Sequence, residues 1–284
     1  MRIDAHQHFW QYNPVRDTWI TDQMAVLKRD FLPQQLMPAL HANNMQGCIA
    51  VQTDQSEAET FFLLELASRY AAIQRVVGWV DLCADNLHER LEFFSRYPKL
   101  SGFRHIVQAE RDDRFMLSPA FLRGIGRLEE FGFTYDILIY ARQLPAAIDL
   151  VARYPGQLFA IDHIAKPAIK EKRYDAWARD LRTIAQSPNV YCKVSGLVTE
   201  ADWQQWSQED FKPYLDVVFE VFGIDRLMFG SDWPVCLLAA DYSDVVQVVA
   251  DYVRHLPVVD KDKIFGLNAS HFYGQRASRH AIAT

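Results

Sequence analysis

Eight short runs rich in apolar and β-branched residues recur along the chain, and this recurrence constrains its fold more than any other feature. They are MRIDAH (1–6), GCIAVQT (47–53), RVVGWVDL (75–82), SGFRHIV (101–107), FTYDILIY (133–140), LFAIDHI (158–164), VYCKVSG (190–196) and RLMFGSDW (226–233). Between them, segments such as 56–71, 86–97, 118–132 and 141–154 place apolar residues three and four apart, the spacing of an amphipathic helix. Ser56, Asn86 and Ser118 are suitable N-cap residues, Pro119 suits the first helical position and Gly132 a helix stop. Strands that read as continuous apolar runs belong to parallel sheets covered by helices. Eight of them alternating with helices predict a single (β/α)8 TIM barrel over residues 1–274, followed by a polar tail at 275–284. An open doubly wound sheet is the structural alternative, but no Gly-x-Gly-x-x-Gly turn follows the first strand.

A chain of 284 residues with 50% hydrophobic content suffices for one such domain. The net charge of −6 is spread without blocks, so no basic footprint for nucleic acid or an acidic membrane surface is present, and a small-molecule partner is expected. Cys48, Cys83, Cys192 and Cys236 lack Cys-x-x-Cys spacing and read as free thiols. Neither a basic-then-apolar leader nor a run of about 20 apolar residues occurs, which predicts a cytoplasmic protein without membrane spans.

Barrels of this type carry their reactive groups at the C-terminal ends of the strands. There the chain offers His6 and His8, Arg104 and His105, Asp136 and Tyr140, His163 and Lys166, Lys193, and Asp232. Two histidines one residue apart share a face of a strand and can pinch one metal ion. Arg104 and His105 are consecutive, so only one of them can point into the barrel. A lysine inside an apolar strand, as at Lys193, must snorkel or meet an anion. Gly230, two residues before Asp232, leaves room near the barrel axis. The long connection from Phe9 to Phe31, with Trp10, Tyr12 and Trp19, reads either as a wall or lid of the pocket or as plain packing over the barrel mouth, and the segment 196–210 reads the same way.

Six ordered motifs carry a family resemblance: IDAHQHFW, GFRH, IDHIAKP, YCKVSGL, LMFGSDWPV and IFGLNASHFYG. From Arg2 to about Gly274 the sequence resembles the second amidohydrolase family, in its sugar-lactonase branch of L-fuconolactone and L-rhamnonolactone hydrolases. The resemblance implies a (β/α)8 barrel that hydrolyses a sugar lactone. It also implies one divalent ion, zinc in the first instance, held by His6, His8 and Asp232, with or without His163, in a branch where the metal can be weak or dispensable. FTYDILIY has no histidine and strand four offers Arg104 in place of a lysine, so a binuclear site is not expected. Asp232 is expected to move the proton between attacking water and ring oxygen, with His163 as the second catalytic group. Arg104, His105, Lys193, Trp10 and Trp233 are expected to bind substrate. Two other readings stand beside this one: a metal-dependent decarboxylase of the same family, and a non-catalytic barrel that binds sugar acids.

Overall fold

A computed structural model describes the backbone of residues 1–283 and the side chains of residues 1–275. The expected strands form where the apolar runs lie: β1 (Ile3–Gln7), β2 (Gly47–Val51), β3 (Ile73–Gly78), β4 (Leu100–His105), β5 (Thr134–Ile137), β6 (Phe159–Ile161), β7 (Val190–Val194) and β8 (Leu227–Phe229). Each pairs in parallel with the next, in the order β1 to β8. The ring is closed just beyond β8, where Gln7 bridges Trp233, the His8 N–H donates to the Trp233 carbonyl at 2.7 Å and the Asp232 N–H to the His6 carbonyl at 2.8 Å.

The helices cover the outside: α1 (Pro33–Ala42), α2 (Glu57–Arg69), α3 (Leu87–Phe94), α4 (Pro119–Phe131), α5 (Leu144–Arg153), α6 (Asp175–Ile184), the short α7 (Leu197–Glu200), α8 (Gln208–Phe222), α9 (Tyr242–Tyr252), α10 (Val258–Asp262) and α11 (Asn268–Ala283). In α4, Phe121, Ile125 and Leu128 make the buried stripe, and Gly132 ends the helix with φ 68°. Ser56 caps α2 by accepting the Glu59 N–H at 3.2 Å, worth about 1 kcal/mol. The Asn86 and Ser118 side chains form no such bond at α3 and α4, contrary to expectation.

Inside the barrel, Ile3, Ala5, Ile49, Val51, Val77, Ala160 and Met228 pack with Ala269, Phe272 and Tyr273 of α11, whose first turns form the floor of the barrel interior. The expected boundary at 274/275 thus falls within a continuous helix, and the side chains of the tail beyond residue 275 lie outside the described residues. Ser101 donates to the Tyr273 carbonyl at 2.7 Å, and the Tyr273 hydroxyl reaches Asp136 at 2.8 Å.

Three strands, β1, β3 and β4, break the simple inward-outward alternation; in β3 the extra residue lies between Ile73 and Arg75 against β2. Between Asp4 and Gln7, β1 carries one residue more than the facing stretch of β2, a bulge that lets Ala5 and His6 both face inward. Strand β4 carries one extra residue between Leu100 and Gly102 against β3, so Ser101 and Arg104, three residues apart, both turn to the interior.

The connection from Phe9 to Phe31 is a packed structure of its own. Trp10 and Phe31 exchange backbone hydrogen bonds, each 2.9 Å, and the rings of Trp10, Trp19, Phe31, Trp233 and Phe9 meet edge to face at 5.2–6.1 Å. No described helix is long and apolar enough to cross a membrane.

Candidate active site

His6, His8, His163 and Asp232 converge at the C-terminal mouth, all buried. The Asp232 Oδ1 atom lies 3.3 Å from His8 Nε2, 3.8 Å from His163 Nε2 and 3.9 Å from His6 Nε2, while the two Nε2 atoms of His6 and His8 are 3.2 Å apart. Ligands held tetrahedrally at 2.0–2.1 Å from zinc sit about 3.3 Å from one another. Two edges of the His6–His8–Asp232 triangle match that spacing, and the third is slightly open.

The hydrogen bonds behind the imidazoles fit the same use. His8 Nδ1 faces the Val51 carbonyl at 2.7 Å, an oxygen that can only accept, so Nδ1 carries the proton and Nε2 presents its lone pair. His6 Nδ1 lies 3.3 Å from Asp162, the carboxylate-to-histidine arrangement that orients a metal-binding imidazole, and 3.0 Å from the Lys193 ammonium. Burial lowers all three imidazoles below the ordinary histidine range, His6 and His163 well below it, which favours their neutral forms. His6, Asp162 and His163 form a second group of donor atoms, but it shares His6, and Asp162 is already paired with two cations. One ion is what this donor set fits.

Beneath the histidines lies a buried charge lattice. Lys193 contacts Asp136 at 2.5 Å and Asp162 at 2.9 Å, and Arg104 Nη1 contacts Asp162 at 2.9 Å and His6 Nε2 at 3.2 Å. Arg104 also donates to the Gln52 carbonyl. Burial pushes the Asp162 carboxyl upward, but Lys193, His6 and Arg104 outweigh it and hold the group well below the usual carboxylate range. The lysine in strand seven therefore meets its anions inside the barrel.

The backbone is strained at these positions. His163, Ile164, Ala165 and Lys166 take successive φ values of 53°, 48°, 61° and 45°, and Asp232 takes 58°. A left-handed conformation costs an L-residue roughly 1–2 kcal/mol, and such strain gathers at functional sites. It aims the His163 ring at Asp232 while its Nδ1 meets Ser195 Oγ at 2.9 Å. Two glycines make room: a Cβ at Gly230 would lie 2.6 Å from the His6 Cβ, and one at Gly196 would lie 2.7 Å from the His163 Cβ.

Three of the residues expected to touch substrate lie elsewhere. His105 points outward from β4, bonded to Glu110 at 2.7 Å and stacked on Phe115, because alternation sends Arg104 inward. Trp10 is buried in the aromatic plug with its indole N–H on the Arg29 carbonyl at 2.9 Å. Trp233 packs on Phe9 and Phe31 in the same plug. Arg104 and Lys193 do join the site, as its floor. Asp162, Ser195 and Gly196 were not singled out as site residues by sequence reasoning. The acidic residue directly before His163 and the Ser-Gly pair directly after the buried-lysine strand were the available signals.

Beside this centre a cavity of about 710 Å³ opens between the segments following β5, β6 and β7. It is lined by Tyr140, Lys166, Tyr174 and Glu200 among others, and by none of the three histidines or Asp232. Lys166 and Glu200 connect the two: Lys166 ends the strained turn that begins at His163, and the charge of Asp232 reaches the Glu200 carboxylate.

A parallel barrel that gathers an opening His-x-His, a mid-chain histidine and a last-strand aspartate at one mouth defines an enzyme of the amidohydrolase type. The chain belongs to the amidohydrolase family, whose model matches residues 3–275. It is 43% identical over 284 aligned residues to an L-fucono-1,5-lactonase of Burkholderia multivorans, with 96% of each chain covered. It is 37% identical over 279 residues to an L-fucono-1,5-lactonase of Burkholderia ambifaria, covering 96% of this chain and 95% of that one. The crystal structure of a Burkholderia multivorans amidohydrolase with bound zinc matches with a TM-score of 0.93 at 42% identity, over 96% of this chain and 99% of that one.

Proposed function

We propose that this protein is a sugar lactonase that opens an aldono-1,5-lactone, of the L-fucono-1,5-lactone kind, to the free aldonic acid. The observation that carries the reading is the convergence of His6, His8, His163 and Asp232 on one mouth in a chain 43% identical to a lactonase of that name.

Hydrolysis needs a water oxygen delivered to the carbonyl carbon, stabilisation of the oxygen that gains charge, and a proton for the departing ring oxygen. Asp232 takes the proton from the water as its oxygen bonds to the carbonyl carbon. When the bond from that carbon to the ring oxygen breaks, Asp232 returns the proton to the new hydroxyl. His163, held by Ser195, presents Nε2 to the same pocket as a hydrogen-bonding partner for the reacting oxygens. Arg104, buried with its guanidinium against His6, adds positive charge below the site, and Lys193 fixes Asp162 so that His6 keeps its orientation.

His6, His8 and Asp232 would hold a divalent ion, and two imidazoles with one carboxylate suit zinc. Bound there, the ion supplies Lewis acidity and lowers the pKa of a coordinated water toward about 7.

The test is acid release from a panel of aldono-1,4- and 1,5-lactones, with and without a chelator. Hydrolysis of a 1,5-lactone of a 6-deoxy sugar at the highest kcat/KM is the expected result. A protein that opens none of the lactones overturns the reading.

A further inference from the structure

Lys166 and Glu200 face the cavity beside the reactive centre, and their chemistry goes beyond the roles assigned so far. Lys166 Nζ lies 3.5 Å from Glu200 Oε1, with the two side chains only 16% and 19% exposed. A charge-assisted N–H···O bond is 2.7–2.9 Å long, so this pair is loose and both partners retain bonding capacity. The ammonium has three donors and the carboxylate several acceptor sites. Held mostly out of water at a cavity wall, such groups cost free energy unless something polar meets them. Burial also pushes the Glu200 carboxyl up, only partly offset by Lys166.

Both groups are held in place. The Lys166 backbone is locked in the left-handed turn, with its N–H on the His163 carbonyl at 2.8 Å, and its ammonium lies 5.7 Å from the Tyr140 ring centroid, a cation–π contact. Glu200 ends α7, whose Thr199 hydroxyl bonds back to the Gly196 carbonyl at 2.9 Å. Gly196 is the residue that packs on His163. Lys166 is thus three residues along the chain from the histidine facing Asp232, and Glu200 is four residues from the glycine packed against that histidine.

We propose that Lys166 and Glu200 form a two-point reader of adjacent hydroxyls on the lactone ring, and so set the preference for polyhydroxylated over plain lactones. One hydroxyl accepts from the ammonium while its neighbour donates to the carboxylate. An ammonium alone would hold any oxygen, and a carboxylate alone would repel the acid product, whereas the two together match a diol. A site that hydrogen-bonds hydroxyls rejects an analogue lacking them, because its own polar groups are left unpaired.

This inference rests on the lactonase reading, and the test separates them. The ratio of kcat/KM for the best aldono-1,5-lactone to that for δ-valerolactone, which has the ring without hydroxyls, is measured for wild type, Glu200→Gln, Lys166→Met and Lys166→Arg. Glu200→Gln and Lys166→Met should each lower the ratio tenfold or more, with δ-valerolactone turnover within about threefold of wild type. Lys166→Arg, which keeps the charge, should retain most of the ratio. A selective wild type whose ratio is unmoved in both variants, or variants that lose both substrates equally, overturns this proposal alone. A wild-type protein that opens no lactone removes it together with the reading beneath it.

Discussion

Gly196 and His163 occupy complementary space: a β-carbon on the glycine would sit 2.7 Å from the histidine Cβ and 2.8 Å from its Cγ and Nδ1. The ring is seated where a side chain is missing, and the glycine itself takes φ 69°. Gly196→Ala should therefore shift the His163 ring and strain the turn. A misplacement of about 1 Å can cost on the order of 100-fold in rate, so kcat should fall at least tenfold while the zinc content of the purified protein is unchanged. Wild-type kcat in this variant would show that the close packing has no part in turnover.

Among the described residues, Asp232 is the carboxylate that lies within 4 Å of all three imidazoles. Asp232→Asn keeps its size and an acceptor oxygen but cannot carry the proton. Turnover should drop by roughly 10²- to 10⁴-fold, with the aldonate product still binding in calorimetry. Turnover within a few-fold of wild type would assign the proton transfer to another group.

Zinc should stabilise the protein by mass action, since only the folded chain brings His6, His8 and Asp232 together. At a free concentration 100 times Kd the gain is about 2.7 kcal/mol. Titrating zinc into chelator-treated protein should raise Tm for wild type and raise it far less for His8→Ala. Equal rises in both would place the ion elsewhere.

Lys193 anchors the charge lattice between Asp136 and Asp162. Lys193→Met leaves two buried carboxylates without their shared cation, and breaking a buried pair in this way costs about 3–5 kcal/mol. Denaturant unfolding should register a loss of that order at neutral pH. A variant as stable as wild type would mean that the carboxylates find other partners or take up protons at little cost.

Glu59 gives a pH signature away from the reactive centre. It is buried in the first turn of α2, accepting from the Thr53 N–H at 3.2 Å and hydroxyl at 3.0 Å, and burial pushes its carboxyl from 4.5 up to about 7. Below 4.5 the group is neutral in both folded and unfolded chains. Between 4.5 and 7 only the unfolded chain ionises, so stability falls as pH rises, by about 3 kcal/mol in all. Glu59→Gln keeps the acceptor oxygen and removes the ionisation. Its Tm relative to wild type should improve from pH 4.5 to about 7 and level off above that, and a pH-independent difference would count against the buried acid.

The barrel and most of the centre were legible in the sequence because both depend on periodicity. Apolar runs at regular intervals specify strands buried on both faces, and the strand ends then name His6, His8, Arg104, His163, Lys193 and Asp232. What periodicity cannot supply is a change of parity or a packing choice. The bulges in β1 and β4 decide that Ala5 and His6 share a face and that Arg104 joins Ser101 inside, yet an inserted residue leaves no mark on composition. Trp10 and Trp233 look like sugar platforms in sequence, but the loop from Phe9 to Phe31 is long enough to bury them against its own aromatic residues. Glu200 sits in a segment whose only signal was position, after the seventh strand.

The closing of the ring by Gln7 and Trp233 means that the opening histidines acquire Asp232 only when the last strand arrives. A growing chain can set Asp162 beside His6 once β6 has been made, but the carboxylate that faces all three imidazoles comes only after β8. Release of α11 comes later still, and with it Tyr273 beneath Asp136. Fragments ending before residue 232 lack that carboxylate and should be inert however well their remaining strands pair.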